Sequence, residues 1–346
     1  MNIRCFQRNF SSALPPLVPV QLPFPRETHF WYILPDEVKS VALLNRYSEL
    51  LSPCERENVN RMSGDQLKKR ALLARALKTI GRSYTMMYRY ALDTGVGHGN
   101  INVAFTILLG VKITARILTN CEINPRSLKF RKNIYGKPEV EWHKDDNFSP
   151  PPLHFNISHT SSMIACGVTI NAPIGIDVEE KQRKLKNDII AFAQRYFSPY
   201  EVKLLTSISD PEVRRQEFIK LWTLKEAYVK ALGKGFSAMP FKTFTIQFRT
   251  SALRHFHLPG NSVSEAFEVI VESSNDPGNL TNNCLFALLE VAGSHYAAIC
   301  VENDEIVRGE ANKPMKLTVR KTIPFVEDVC VSGTDAVLPL RGIIEQ

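Results

Sequence analysis

The chain lacks the signatures of several common protein classes, and each absence narrows what it can be. Its seven cysteines, Cys5, Cys54, Cys121, Cys166, Cys284, Cys300 and Cys330, are scattered, odd in number and never spaced Cys-x-x-Cys. They predict reduced thiols in an intracellular compartment, with neither a disulfide frame nor a zinc site. No stretch reaches the ~18 apolar residues that a membrane-spanning helix needs, so no membrane partner is expected. No zinc-finger spacing, RNP-like aromatic motif or continuous basic helix marks a nucleic-acid module. There is also no Gly-x-Ser-x-Gly elbow, and no nucleophile with a matched base and orienter.

What is present is a globular composition. Of 346 residues, 44% are hydrophobic and 23% charged, with a formal charge of +8. That length allows one large domain or two small ones, and that charge points to an acidic partner or a polyanionic ligand. Residues 1–26 contain Arg4, Arg8 and Arg26 but no acidic residue, the composition of an organelle transit peptide and of a mitochondrial one in particular. Pro15, Pro16, Pro19, Pro23 and Pro25 then prevent regular structure.

The most informative stretch runs from Phe218 to Gly235. No glycine or proline interrupts residues 212–232, which predicts a helix stopped by Gly233. Glu226 and Lys230 are four apart and share a face, with Lys225 beside them and Trp222 a turn earlier. Taken alone, this stretch reads as an ordinary amphipathic helix with a solvated Glu-Lys pair. Upstream, Ile174, Ile176 and Val178 alternate with Gly175, Asp177 and Glu179, the period of a strand. Asp177 and Glu179 therefore share a side. Two such carboxylates suit Mg²⁺, which takes one or two carboxylates plus phosphate and water; an exposed edge strand with a polar face is the equal alternative. Phe155-Asn156-Ile157-Ser158-His159, followed by the apolar run Met163–Val168, reads as a polar turn between two strands. Tyr135-Gly136-Lys137-Pro138 reads as a turn carrying a lysine.

Taken together and in this order, the Gly-Lys-Pro turn, the Asn-Ile-Ser-His segment, the Gly-Ile-Asp-x-Glu strand and the Trp-x-x-Lys-Glu-Ala-x-x-Lys helix resemble the 4′-phosphopantetheinyl transferases of the Sfp type. The resemblance implies an α+β fold of two similar lobes in pseudo-twofold arrangement, each a small antiparallel sheet with packed helices, and an active site in the cleft between them. It implies transfer of phosphopantetheine from coenzyme A to a serine of an acidic apo-acyl carrier protein, releasing 3′,5′-ADP. The absence of a nucleophile fits, because the attacking hydroxyl belongs to the partner. It implies Mg²⁺ held by Asp177, Glu179 and Glu226. Glu226 and Lys230 take the catalytic roles, as base and as pyrophosphate stabiliser. Arg70, Lys137, Ser158, His159 and Lys225 are assigned to coenzyme phosphates. A monomer is expected, acting in fatty-acid biosynthesis in the mitochondrial matrix, with cytosol or plastid as alternatives. A second reading is a non-catalytic or insertion-impaired homologue that binds carrier proteins.

The rest of the chain divides around these motifs. A first lobe is expected over 27–172, opening on an aromatic strand at Thr28–Leu34. A helix opens at Ser52-Pro53, and a basic one runs over 65–77. Lys78-Thr79-Ile80 and Lys112-Ile113-Thr114 look like halves of one helix, so residues 80–111 read as an insertion. A second lobe is expected over 173–303. The family's Arg-x-Phe-Ser-x-x-Glu run is matched by Arg195, Phe197, Ser198 and Glu201, and β-like segments from Phe244 to Val301 are expected to complete the lobe's sheet. Lys181–Lys186 is a basic loop suited to steering an acidic partner. Residues 304–346 read as a tail.

Overall fold

The computed structural model describes residues 23, 26–49, 53–65, 67–73, 128–142, 152–185, 188–250, 256–258, 267–273, 284–302, 315–323 and 326–340. The 80–111 insertion and nearly all of the transit-peptide stretch lie outside them.

The fold is α+β. The first half supplies β1 (Glu27–Ile33), α1 (Val41–Glu49), α2 (Pro53–Asn60), a helical stretch α3 over 67–73, the hairpin β2 (Leu128–Lys132) and β3 (Pro138–Trp142), and then β4 (Leu153–His159), β5 (Ile164–Ile170) and β6 (Ile174–Glu180). Three helices follow, α4 (Ile189–Tyr196), α5 (Pro199–Ser207) and the long α6 (Pro211–Ala231), with a short α7 (Gly235–Ala238). The remainder is strands: β7 (Phe244–Thr250), β8 (Phe256–His257), β9 (Phe267–Ser273), β10 (Cys284–Val291), β11 (His295–Glu302), β12 (Met315–Ile323), β13 (Glu327–Cys330) and β14 (Val337–Pro339).

Two sheets carry the core. One has the order β13-β12-β1-β5-β4, with β8 on β12; the other has the order β14-β10-β11-β6. Side chains alternate across the second sheet, and both of its faces are apolar. Ile174, Ile176 and Val178 of β6, with Leu285 of β10 and Ile299 of β11, pack towards Phe30 and Tyr32 of β1 and Leu317 and Val319 of β12. The opposite face, with Phe286, Tyr296, Ala298 and Cys300, packs on α6 through Leu221, Leu224, Ala227, Tyr228 and Ala231. The layers are thus helix, sheet, sheet, and β6 is a seam between α6 and the larger sheet.

Three expectations are corrected. The stretch from 304 on is no tail: β12 lies in the middle of the larger sheet, with Leu317 and Val319 fully buried. It pairs with β1 in parallel, Phe30 opposite Val319, while β14 joins the smaller sheet through Val337 opposite Val291. The polar composition concealed this strand because only its inward alternate residues are apolar. The larger sheet is therefore mixed, since β1–β12 and β8–β12 are parallel. Finally, β7 and β9 do not extend the second sheet; they form a separate two-stranded ribbon.

Candidate active site

The site begins with a close approach of two backbones. Gly175 of β6 lies directly beneath α6: a Cβ there would fall 2.0 Å from the Ala227 carbonyl oxygen and 2.2 Å from the Ala231 nitrogen. Only glycine permits that approach. It brings the polar side of β6, Asp177 and Glu179, alongside Glu226 and Lys230 of α6. The helix is set by its ends. Asp210 caps the Glu212 and Val213 amides at the start, and Gly233 at φ 65° stops it, as the sequence indicates.

At the centre, Lys230 Nζ donates to Asp177 Oδ1 at 2.7 Å and to Ser158 Oγ at 3.2 Å. Burial opposes the charge on Lys230, but Asp177 and Glu226 outweigh it and raise the ammonium's pKa. Burial and then Asp177 push Glu179 up to about 7, against the pull of Arg183 and Lys230. Glu226 is also raised, by burial first, with Lys230 opposing and Asp177 adding. Arg183, just past β6, pairs with Glu179 and lies 5.9 Å from the Trp222 ring centroid.

Among the described residues, no three His, Cys, Asp or Glu side chains converge closely enough to hold a metal ion. Lys230 occupies one side of Asp177 and Arg183 one oxygen of Glu179. The residues nevertheless fit a hard cation. Asp177 is 5% exposed, and its Oδ2 is buried with no hydrogen-bond partner. An orphaned carboxylate oxygen beside two carboxyl groups of raised pKa is a place where a divalent ion relieves desolvation and repulsion together.

The expected anion-binding residues separate into two groups. His159 and Arg70 come together with Lys230: burial first, then Lys230 and Arg70, lowers the His159 pKa. Arg70 Nη1 donates to the Ser161 carbonyl at 3.0 Å, on the turn that follows His159. A recess of about 340 Å³ opens here, lined by His159, Thr160, Ser161, Glu179, Glu180 and Arg183.

The other three, Ser158, Lys137 and Lys225, make hydrogen bonds and ion pairs within the fold. Ser158 Oγ donates to Asp177 Oδ1 at 2.8 Å and accepts from Val178 N and Lys230 Nζ, which exhausts a hydroxyl's one donor and two acceptor sites. Asn156 Oδ1 likewise accepts from Ile176 N at 2.9 Å. Asn156 and Ser158 therefore satisfy the edge amides of β6 from β4 and stitch the two sheets together. Lys137 Nζ donates to the carbonyls of Ile174, Lys230 and Ala231 at 3.0, 2.7 and 3.2 Å. All three of its protons cap the end of α6 and the start of β6, and burial pushes its pKa down to about 8. The hairpin bearing it is locked by Asn133, whose Nδ2 donates to the Gly233 carbonyl at 2.9 Å.

Lys225 points away from the site altogether. Fully buried, it pairs with the fully buried Glu201 at 2.7 Å and donates to the Phe241 and Phe244 carbonyls at 3.0 and 2.7 Å. Glu201 also receives the Ser198 and Ile246 amides. One turn of α6 thus sends Lys225 into the helical core and Glu226 to the site. The Ser-x-x-Glu run has its explanation here, as a capping box whose Glu201 side chain also takes the Lys225 charge. Helical spacing could have warned of this, because neighbours in a helix diverge by about 100°.

A braced carboxylate cluster next to an imidazole and a guanidinium is equipment for handling phosphate. The 4′-phosphopantetheinyl transferase superfamily model matches residues 173–278, the span that includes β6 and α6. A 4′-phosphopantetheinyl transferase of Bacillus subtilis is 34% identical over 137 residues, 40% of this chain and 55% of that protein. The gsp transferase of Aneurinibacillus migulanus is 33% identical over 153 residues, 44% of this chain and 57% of that protein. The psf-1 transferase of Bacillus pumilus is 33% identical over 198 residues, 57% of this chain and 76% of that protein. The chain belongs to the Sfp-type 4′-phosphopantetheinyl transferase family. It spans little more than half the length of the first two of these relatives.

Proposed function

We propose that the protein transfers the 4′-phosphopantetheine group of coenzyme A to a serine of an apo-acyl carrier protein. The observation that carries this is the part-buried pairing of Lys230 with Asp177, beside Glu179 and Glu226 and next to His159 and Arg70. Carboxylates and anion-binding groups lie together as transfer between polyanions requires.

In this reading Arg70 and His159 bind coenzyme phosphate, and Lys230 neutralises the pyrophosphate oxygens as charge develops. Glu226, with its raised pKa, accepts the proton of the carrier serine. The serine oxygen forms a bond to the β-phosphorus, the bond to the α-phosphate oxygen breaks, and 3′,5′-ADP leaves with that electron pair. Mg²⁺ bound by Asp177, Glu179 and Glu226 would supply charge neutralisation of the pyrophosphate. Ser158 orients Asp177, and Lys137 and Lys225 hold α6 in place. The net charge of +8 favours an acidic carrier. We further propose that the protein acts in fatty-acid synthesis in the mitochondrial matrix, on the strength of the N-terminal composition, and as a monomer, as the two-lobe members of the family generally do.

The test is intact-mass spectrometry of an apo-acyl carrier protein incubated with the full chain, coenzyme A and Mg²⁺. A gain of about 340 Da, the phosphopantetheine increment delivered by phosphoryl transfer, is expected, and it is lost in Glu226→Gln. A carrier bound by the protein but never modified would favour a non-catalytic binding homologue.

A further inference from the structure

His295 opens β11, opposite Glu180 of β6, and is 1% exposed. No role in the proposed reaction uses it, yet its ring is bonded at both nitrogens. Nδ1 lies 2.8 Å from Ser294 Oγ. Nε2 lies 3.1 Å from Thr160 Oγ1 and 3.0 Å from Ser162 Oγ. Thr160, Ser161 and Ser162 form the turn between β4 and β5, immediately after His159.

The turn is held at several points around the ring. Thr160 Oγ1 accepts from Ser162 N at 3.2 Å and Met163 N at 3.0 Å. Ser162 Oγ donates to Glu180 Oε1 at 2.6 Å, and Ser161 Oγ bonds the same oxygen. Nε2 thus meets the Thr160 and Ser162 hydroxyls of the turn, while Nδ1 meets Ser294. Burial lowers the imidazole's pKa.

We infer that His295 is a positioning residue: through Thr160 and Ser162 it holds the turn that presents His159 and the Ser161 carbonyl bonded to Arg70. The inference rests on the coenzyme reading above and deepens it, because both groups expected at the coenzyme phosphate depend on this turn. His295 and Glu180 come from the smaller sheet, while the turn belongs to the larger one. The anion-binding edge is therefore registered against the carboxylates of β6 from beneath. A misplacement of such an edge by about an ångström weakens binding by roughly ten- to a hundredfold.

The test uses the full-length protein and calorimetric titration with 3′,5′-ADP. Wild type is expected to bind. His295→Leu, which keeps volume but offers no hydrogen-bonding group, should bind about tenfold more weakly, and His295→Gln, whose amide can bond the hydroxyls of the turn, should stay within about threefold of wild type. The melting temperatures of the two variants should lie close together, so that loss of fold does not mimic loss of position. Equal binding by wild type and His295→Leu would overturn the proposal, as would equal loss in Leu and Gln. Failure of wild type to bind would instead remove the coenzyme reading beneath it.

Discussion

Lys225 offers the sharpest test of how this site is built, because its neighbour Glu226 lies by Lys230 and Asp177 while Lys225 pairs with Glu201 in the helical core. Take Lys225→Met, which keeps the stem and removes the ammonium. The side chain is fully buried, and its three protons go to Glu201, Phe241 O and Phe244 O, with the ammonium 4.0 Å from the Phe244 ring centroid. The change leaves the Glu201 carboxylate at 0% exposure without its cation. Breaking a buried pair in this way costs about 3–5 kcal/mol. At about 2 °C per kcal/mol for a chain of this size, the melting temperature should fall by roughly 6–10 °C. Glu201→Gln in the same background should recover part of the loss, since it removes the stranded charge while keeping an acceptor for the Ile246 amide. Differential scanning calorimetry reads the stability, and coenzyme KM is measured well below the variant's transition. An unchanged melting temperature combined with a tenfold rise in KM would refute the reasoning and return Lys225 to the phosphates.

Three further outcomes are expected. Gly175→Ala places a methyl 2.0 Å from the Ala227 carbonyl, so it should destabilise by about 3 kcal/mol and weaken activity through the displaced Asp177; a crystal structure with β6 and α6 unmoved would contradict this. Lys137 has a pKa of about 8 when folded, against ~10.4 when unfolded. Between those values the unfolded chain binds more protons, so stability contributed at this site rises from pH 8 to 10. The melting-temperature gap between wild type and Lys137→Met should widen over that range, and a constant gap would show the lysine titrating normally. Removing residues 304–346 deletes β12, β13 and β14 and exposes the edge of β1. The product should be insoluble or melt without a cooperative transition, whereas a soluble, cooperatively folding product would mean the segment is dispensable after all.

The sequence was most readable where one local rule decides the outcome. Unbroken helix formers ended by a glycine that accepts positive φ delimited α6. The alternation of Ile174, Ile176 and Val178 with Gly175, Asp177 and Glu179 placed β6 and showed which side its carboxylates take. Those two elements hold Asp177, Glu179, Glu226 and Lys230, so the heart of the site could be drawn from periodicity together with family resemblance. Residue type alone does not show where a polar group finds a buried partner far along the chain. A lysine looks the same in sequence whether it meets a phosphate, three carbonyls or a buried glutamate. Lys137 is set by Ile174, Lys230 and Ala231, Lys225 by Glu201, and Ser158 by Asp177. The same holds for β12, whose partner β1 lies almost at the other end of the chain, and for His295, whose ring is given meaning only by the turn at Thr160–Ser162. Local conformation is set by neighbours in sequence, and the alternating pattern carries that much. Which hydrogen-bonding group is left for chemistry depends on which ones the packed interior consumes, and only the tertiary structure decides that.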